Sequence, residues 1–208
     1  MNKYRRGIII AGVLILLAAS IFYIRQTNQP RCITGDCENG TGTQYHADGS
    51  RYSGTFREGE FHGKGTVSFP TGDRYEGNWR KGKRHGVGTY HFPEGNIYTG
   101  EFQNNQRTGQ GTYTWKGGVK YSGTWLDSSP EGVGVLTLTD GTQYVGRYIN
   151  GVIYNGAGMR IYDDGTRYIG QWRNGSRHGK GRMLDESGDE IQSGTWFNDE
   201  LPIAANPN

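Results

Sequence analysis

Apolar and polar residues alternate in short stretches that recur along most of the chain. Each stretch places a tyrosine, a glycine and a second aromatic residue at every other position, as in Tyr75–Trp79. A period of two puts such residues on the same face of a β-strand. The pattern therefore predicts strands with one aromatic face. The aromatic residues at these positions are Tyr52, Phe56, Tyr75, Trp79, Tyr98, Phe102, Tyr121, Trp125, Tyr144, Tyr148, Tyr168, Trp172 and Trp196.

The stretches recur at a nearly constant interval. Their leading tyrosines stand 23 residues apart from Tyr52 to Tyr144, and two steps of 24 residues follow. A unit of this size is too small to form a core alone, so the period predicts a repeat array in which neighbouring units stack. The two longer steps add a residue near Gly151 and after Gly188, in turn-like segments that are expected to absorb it.

Each unit is predicted to be one antiparallel β-hairpin. A two-residue turn at Glu58–Gly59 predicts that Gly54 lies opposite Gly63 and that Tyr52 lies opposite Gly65. Because glycine has no side chain, such positions leave hollows in which aromatic rings can lie. We interpret the many glycines as positions that leave space for the aromatic rings.

The composition after Cys32 limits the thickness of the fold. Ile, Leu, Val and Phe are scarce there, whereas glycine and aromatic residues are abundant. A thick two-layer core is therefore not expected. The predicted fold is an all-β repeat, an elongated single-layer twisted antiparallel sheet of consecutive β-hairpins, with one apolar helix at the N-terminus.

The units resemble the MORN (membrane occupation and recognition nexus) repeat family, whose consensus is similar to YxGxWxxGxxHGxGxxxxxDGxxYxG. Tyr75–Gly88 and Tyr168–Gly181 fit this pattern closely, and the resemblance covers about residues 32–198. It implies a scaffold, a tether or an appendage rather than a catalytic domain. Two departures occur. The turn glycine is absent at Asp127–Pro130, which predicts a locally distorted hairpin, and Gln192 replaces a leading tyrosine, as expected of a terminal cap.

Residues 1–25 are predicted to direct the chain to a membrane. Ile8–Ile24 is uncharged and follows Lys3, Arg5 and Arg6. Its 17 residues are near the lower limit for a transmembrane helix and slightly exceed a usual signal-peptide core. An uncleaved signal anchor is favoured, and a signal peptide cleaved near Ala18–Ser20 is the alternative. The basic N-terminus should stay inside, so the repeats are expected on the extracytoplasmic side.

Residues 26–31 are predicted to form a linker, residues 32–198 the repeat array and residues 199–208 a C-terminal tail. The first unit of the array is degenerate and contains the only two cysteines, Cys32 and Cys37. In an exported chain this pair predicts a disulfide that clamps the end of the array. A turn at Gly35–Asp36 would hold the pair slightly too far apart, and a four-residue loop would place them face to face. Two free thiols are the alternative.

The charge distribution limits the partners. The chain has a formal net charge of +3, but five of its 23 basic residues and none of its 20 acidic residues precede residue 32. The repeat region therefore has a net charge of 18 − 20 = −2, which gives no support to nucleic-acid binding. Two local groups of cations could contact phosphate or an anionic lipid, with ordinary solvated turns as the simpler alternative. These residues are Arg80, Lys81, Lys83, Arg84, Arg173, Arg177 and Lys180.

No catalytic residue, metal ligand or cofactor site is predicted. His62, His85 and His178 share one repeat position, but equivalent side chains two strands apart are about 10 Å from each other, too far to bind one metal ion. These rings are interpreted as braces that hydrogen-bond within the turns. Signatures of a phosphate-binding loop or a nucleophile elbow are absent from the sequence.

The leading hypothesis is a non-enzymatic, membrane-attached scaffold that binds a protein partner or a second copy of itself. The alternative is a binder of phospholipid or glycan, which would use the basic hairpin tips and exposed aromatic rings. An enzyme is disfavoured, because active sites need enclosed pockets with convergent titratable groups.

Overall fold

The structure is a computed structural model that describes residues 29–201. The predicted N-terminal helix in residues 1–25 lies outside the described residues, as do residues 202–208 of the predicted tail. Between residues 29 and 201, the chain contains no helix with the length and apolar character needed to cross a membrane.

Fifteen strands form one open antiparallel sheet in which every strand pairs with its neighbours in sequence. The strands are β1 (Arg31–Gly35), β2 (Thr41–Tyr45), β3 (Arg51–Arg57), β4 (Glu60–Ser68), β5 (Arg74–Arg80), β6 (Lys83–His91), β7 (Ile97–Gln103), β8 (Gln106–Thr114), β9 (Lys120–Leu126), β10 (Ser129–Thr137), β11 (Gln143–Ile149), β12 (Val152–Ile161), β13 (Arg167–Arg173), β14 (Ser176–Leu184) and β15 (Glu190–Trp196). This arrangement confirms the predicted all-β sheet of consecutive hairpins.

The hairpin turns need a left-handed backbone at two successive residues. Asp127 and Ser128 have φ values of 47° and 70°, as a two-residue turn of this type requires. The strands beside them stay paired, with Leu126 opposite Ser129 and Trp125 opposite Pro130. The predicted distortion of this hairpin is therefore wrong, because Ser128 adopts the backbone conformation that glycine adopts in other units.

Away from the turn, the register of the hairpin β3–β4 differs by two residues from the predicted one. Gly54 pairs with Gly65 and Tyr52 pairs with Val67, rather than Gly54 with Gly63 and Tyr52 with Gly65. The cause is a bulge that begins at Gly63, whose φ of 59° takes it out of the extended conformation. The bulge places Gly65 instead of Gly63 opposite Gly54, which the turn position alone could not reveal.

A ring packed over bare backbone is the unit of the core. The hydroxyl of Tyr52 lies so close to Gly54 and Gly65 that a methyl group on either glycine would collide with it. That hydroxyl donates a hydrogen bond to the carbonyl oxygen of Thr55 at 2.9 Å. In the next unit, the indole nitrogen of Trp79 donates to the carbonyl oxygen of Gly65 at 3.0 Å. Consecutive hairpins are therefore joined by rings as well as by strand pairing.

One unit departs from this arrangement. In β11 and β12, Gly146 pairs with Gly156, the first glycine of its Gly-x-Gly pair, and the pairing ends there. In β3 and β4, the equivalent Gly54 pairs with the second glycine, Gly65, so the two registers differ by two residues. Tyr144 is consequently only half-buried, and the side chain of Ile153 covers Gly146 and Gly158 instead. The extra residue that was expected to be absorbed in a turn thus changes the register of a strand pair.

The two faces of the sheet differ in character. One face, here called the aromatic face, carries the tyrosine and tryptophan rings over the glycines. The opposite face, here called the polar face, carries a row of hydroxyl side chains that pair across the strands. Its hydrogen bonds join Thr43 to Ser53 at 3.1 Å, Thr89 to Thr99 at 3.1 Å and Thr112 to Ser122 at 2.9 Å.

Candidate interaction surface

The aromatic residues predicted from the repeat form the core of the sheet. All of them except Tyr144 are buried. Within a unit the rings meet edge to face, with centroids 5.1 Å apart for Tyr75 and Trp79. Between units they meet in the same way, with 5.5 Å between the centroids of Tyr52 and Trp79. These rings stabilise the sheet and leave little surface for a partner.

A second row of rings lies farther along the same strands and is only half-buried. Tyr90 and Phe92 have centroids 4.6 Å apart, Phe92 and Tyr113 are 5.7 Å apart, and Tyr113 and Trp115 are 5.0 Å apart. Sequence reasoning did not assign Tyr113 or Trp115 to a surface. The signal that could have located them is the alternation of the second strand of each hairpin, continued beyond the Gly-x-Gly pair.

Three arginines lie over aromatic rings, and all three occupy the same position in their repeats. Each pairs across its hairpin with the second aromatic residue of the unit. These residues are Arg84, Arg107 and Arg177. The guanidinium carbon of Arg84 is 5.0 Å from the centroid of Tyr90. The corresponding distance is 4.6 Å from Arg107 to Trp125. Such a cation over an aromatic ring is attracted by the negative face of the ring. The sequence analysis did not identify Arg107.

These arginines also connect each hairpin to the turn of the next one. The guanidinium of Arg84 donates to the carbonyl oxygen of Asn105 at 3.2 Å, and that of Arg107 donates to the carbonyl oxygen of Ser128 at 2.6 Å. Arg177 makes the same contact with Asp199 at 2.7 Å.

Only one of the three arginines forms an ion pair with a carboxylate. In the part of the chain that the structure describes, Arg177 forms an ion pair with Asp199 at 3.1 Å, whereas Arg84 and Arg107 form none. Burial lowers the pKa of the Arg107 guanidinium from its usual value. This side chain thus keeps a partly desolvated positive charge without an anionic partner.

The cations proposed from the sequence as lipid contacts do not form one surface. Arg84 and Arg177 lie over aromatic rings and are held by neighbouring turns, as described above. Lys180 is exposed on the polar face, where it pairs with Thr195. The remaining four, Arg80, Lys81, Lys83 and Arg173, are exposed at hairpin tips.

The half-buried rings and the arginines line a groove along the aromatic face, here called the aromatic groove. One recess of about 210 Å³ is joined through Arg107 and Ser128 to a second recess of about 470 Å³. The first recess is lined by Arg84, Tyr90, Phe92, Phe102, Asn105, Arg107 and Ser128. The second is lined by Arg107, Tyr113, Trp115, Tyr121, Trp125, Ser128, Pro130, Leu136, Tyr148, Gly151, Val152, Ile153, Met159, Arg160 and Ile161. Both linings lack aspartate and glutamate.

Tyr121 differs from the equivalent tyrosines. The hydroxyl groups of Tyr75, Tyr98 and Tyr168 donate to carbonyl oxygens three residues ahead, at 3.0, 3.1 and 3.3 Å. The buried hydroxyl of Tyr121 has no hydrogen-bond partner in residues 29–201. Burial raises the pKa of Tyr121 to about 12. The unit of Tyr121 therefore has a buried hydroxyl group without a hydrogen bond, unlike the units of Tyr75, Tyr98 and Tyr168.

The structure joins Cys32 and Cys37 in a disulfide, with their Cα atoms 6.0 Å apart. Cys32 lies in β1, and Cys37 lies in the connection to β2, where it packs against the core. The pair is therefore not placed across two facing strands. The bridge ties the outermost strand to the loop that follows it.

The histidines form no metal site. Among the described residues no group of three potential ligands is close enough to hold a metal ion. The Nδ1 atoms of His85 and His178 are buried and have no hydrogen-bond partner there. These two nitrogen atoms therefore do not make the hydrogen bonds by which the histidine rings were expected to brace the turns. The ring of His178 instead packs near Phe197, with centroids 5.2 Å apart.

Fold and groove together define a class, the open β-sheet proteins built from tandem hairpins. The sequence profile of the MORN repeat matches residues 52–74, 75–97, 98–120, 121–143 and 168–190. The matches cover more than half of the chain, which therefore belongs to the MORN repeat family. The matched ranges leave out residues 144–167, which contain the hairpin with the altered register.

Comparison with solved structures gives distant likenesses. The TCP domain of Drosophila melanogaster SAS-4, solved in complex with a proline-rich motif of Ana2, shares 15% identity and has a TM-score of 0.44, with 80% of this chain and 90% of that chain covered. The TCP10 domain of Danio rerio CPAP shares 16% identity and has a TM-score of 0.35, with 75% and 79% covered. No curated protein matches the chain.

Proposed function

We propose that this chain is a non-enzymatic scaffold that binds a protein partner, is attached to a membrane by residues 1–25, and holds its repeats on the extracytoplasmic side. The observation that carries the proposal is the aromatic groove. Tyrosine, tryptophan, phenylalanine and arginine side chains are enriched in protein interfaces, because they combine apolar area with polar contacts. The groove presents these side chains along several consecutive repeats.

Attachment and orientation are supported by the sequence and by the cysteine pair. Ile8–Ile24 is uncharged, and the basic residues before it favour an inside N-terminus. A disulfide between Cys32 and Cys37 is the form that persists in oxidising compartments outside the cytosol.

The attachment can be tested by fractionating native cells that produce the full chain. We expect the protein to remain in membranes after alkaline extraction, and the repeats to be digested by a protease added from the extracytoplasmic side. Deletion of residues 8–24 should release the protein from the membrane. A full chain that alkali extracts, or repeats that resist the external protease while a cytoplasmic marker is also protected, would contradict the proposed attachment or orientation.

Partner binding can be tested on the same membranes with a photo-crosslinking amino acid placed at single positions. Val152, at the rim of the groove, and Val87, on the polar face, are 40% and 59% exposed. We expect a discrete crosslinked species from Val152 that also contains a second protein. Absence of any crosslinked species from both positions would contradict the scaffold function.

A second candidate function is favoured by the hairpin tip between β5 and β6. Arg80, Lys81 and Lys83 are exposed there and border a recess of about 350 Å³, where lipid phosphate would be attracted. Flotation of the full chain lacking residues 1–25 with phosphatidylglycerol vesicles tests it. Salt-sensitive flotation that is lost on charge reversal at Lys81 and Lys83 would support lipid binding, and flotation unchanged by that reversal would exclude this tip.

A further inference from the structure

The 470 Å³ recess of the aromatic groove lies between two neighbouring hairpins, β9–β10 and β11–β12, that depart from the repeat. Pro130 occupies the position held by Arg84, Arg107 and Arg177 in other hairpins, as its pairing with Trp125 shows. No guanidinium from this hairpin can therefore cover the adjacent rings. The recess lies where that arginine is missing.

The altered register of β11 and β12 shapes the other side of the recess. Pairing of the two strands ends at Gly156, and the next residues of β12, including Met159, Arg160 and Ile161, line the recess. Leu136 contributes from β10 and is 1% exposed, and Ile153 contributes from β12 and is also 1% exposed. The floor is thus well packed and apolar, as in pockets that receive a single anchoring side chain.

The rim of the recess is positive. Arg107 and Arg160 belong to the lining, which contains no acidic residue. Neither arginine forms an ion pair within residues 29–201. The repeat region as a whole is slightly acidic, so the positive rim is a local property of the groove.

Arg177 and Asp199 show how a carboxylate binds an arginine at the position that Arg84 and Arg107 occupy in their own hairpins. Oδ1 of Asp199 accepts hydrogen bonds from the backbone N–H and the Nε–H of Arg177, at 2.9 and 3.1 Å. In the equivalent contacts, Arg84 has the neutral Asn105 and Arg107 has the neutral Ser128. A carboxylate from outside the chain would supply at Arg107 the charge that Asp199 supplies at Arg177.

We propose that the recess receives one large apolar side chain from an extended segment of a protein partner, and that carboxylates beside this side chain pair with Arg107 and Arg160. The proposal rests on the proposed scaffold function and specifies the partner chemistry at its groove. The partner segment is therefore acidic, with a tryptophan, phenylalanine or leucine at its centre.

The test uses the purified full chain in detergent micelles and a fluorescent ten-residue peptide, in which one tryptophan stands between two pairs of aspartates with glycine at the remaining positions. Two control peptides carry lysine for aspartate, or alanine for tryptophan. Fluorescence polarisation is expected to show binding of the acidic tryptophan peptide, and at least about tenfold weaker binding of both controls. Equal binding of the lysine peptide, or no binding of the acidic peptide, would overturn the proposal.

A matched pair of variants locates the binding. Val152→Glu places a carboxylate at the rim, and Val87→Glu makes the same change on the polar face; both side chains are well exposed, so the fold should tolerate them. We expect binding to the first variant to be weakened about tenfold and binding to the second to stay within about twofold. An equal effect of both would overturn the assignment to the recess. Competition by phosphatidylglycerol vesicles but not by excess unlabelled peptide would assign the groove to lipid.

The outcomes separate this proposal from the scaffold function. If the acidic peptide does not bind and a protein crosslinks from Val152 or from Val87, the scaffold function stands and the proposed partner chemistry is wrong. If no protein crosslinks from Val87 or Val152 and no peptide binds, both proposals are wrong.

Discussion

Tyr75 shows how single residues hold a sheet of this kind together. Its ring is buried, its hydroxyl donates to the carbonyl oxygen of Asn78 at 3.0 Å, and the same hydroxyl lies against Gly77 and Gly88. The ring can occupy this place only because both glycines lack a side chain. Glycine normally weakens a strand, and here the packing of the ring offsets that loss.

The substitution Gly88→Ala tests this dependence. Its methyl group would collide with the Tyr75 ring, and the forced shift should lower the free energy of unfolding by about 1–3 kcal/mol. Gly117→Ala is the matched control, since a methyl group there has no neighbour within 4 Å, and its effect should stay within about 1 kcal/mol. Urea unfolding followed by tryptophan fluorescence measures both. Equal losses would show that the glycines are needed for backbone reasons alone.

Arg107 provides a second test at the scale of one residue. Arg107→Met removes the cation over Trp125 and the hydrogen bond to Ser128, while it keeps much of the apolar stem. We expect a loss of about 1–2 kcal/mol in the free energy of unfolding. Arg57→Met, at an exposed position, is the control and should be nearly neutral. A neutral Arg107→Met would mean that the arginine is not a structural link between hairpins.

At the scale of strands and hairpins, the unit from β11 to β12 is the weak point of the sheet. In β7 and β8 the register runs to the strand ends, where Ile97 pairs with Thr114. In β11 and β12 it stops at Gly146 and Gly156. Residues 143–145 therefore pair only with β10, and residues 157–161 pair only with β13. Strand segments that are paired on one side open more easily.

Amide hydrogen exchange should reveal this difference within one molecule. We expect residues 143–145 and 157–159 to exchange faster than residues 97–99 and 111–113 of β7 and β8, because the latter are paired with a strand on each side. Peptide-resolved mass spectrometry on the purified full chain measures all four segments at once, and the second pair serves as the internal control. Equal protection of the two pairs would indicate that the strands remain paired in solution.

Part of the fold could be predicted from the sequence. The hairpins, their order and the buried aromatic positions follow from the alternation and from the constant interval. The register does not, because the bulge that begins at Gly63 adds residues to β4 that have no partner in β3, and the spacing does not reveal them. The groove was missed because Arg107, in β8, reaches the ring of Trp125, in β9, only when consecutive hairpins lie side by side. Membrane attachment by residues 1–25 stays a prediction.

At the scale of the whole molecule, the core is divided into similar compartments, one in each hairpin. Tyr75, Tyr98, Tyr121 and Tyr168 occupy equivalent places, and burial raises the pKa of each to about 12, from an ordinary value of 10.0. A phenol with a raised pKa in the folded state stabilises the fold fully below pH 10. That contribution is lost as the pH rises from about 10 towards 12.

Alkaline titration should therefore couple ionisation to unfolding. We expect the ultraviolet absorbance of phenolate from these four tyrosines to appear together with the loss of the β-sheet circular dichroism signal. The chain in concentrated urea is the control, and it should ionise at about pH 10, as free tyrosine does. Ionisation of all tyrosines near pH 10 with the sheet intact would contradict the burial of these hydroxyl groups.

Because the strands follow each other in the sheet as they do in the sequence, the length of the molecule depends on the number of hairpins. Each strand pairs with the strands before and after it in sequence, and a hairpin widens the sheet by roughly 10 Å. Duplication or loss of one hairpin would lengthen or shorten the molecule by a fixed increment without disturbing distant contacts. The number of hairpins therefore sets the distance that the sheet can span between two bound partners, in steps of one hairpin.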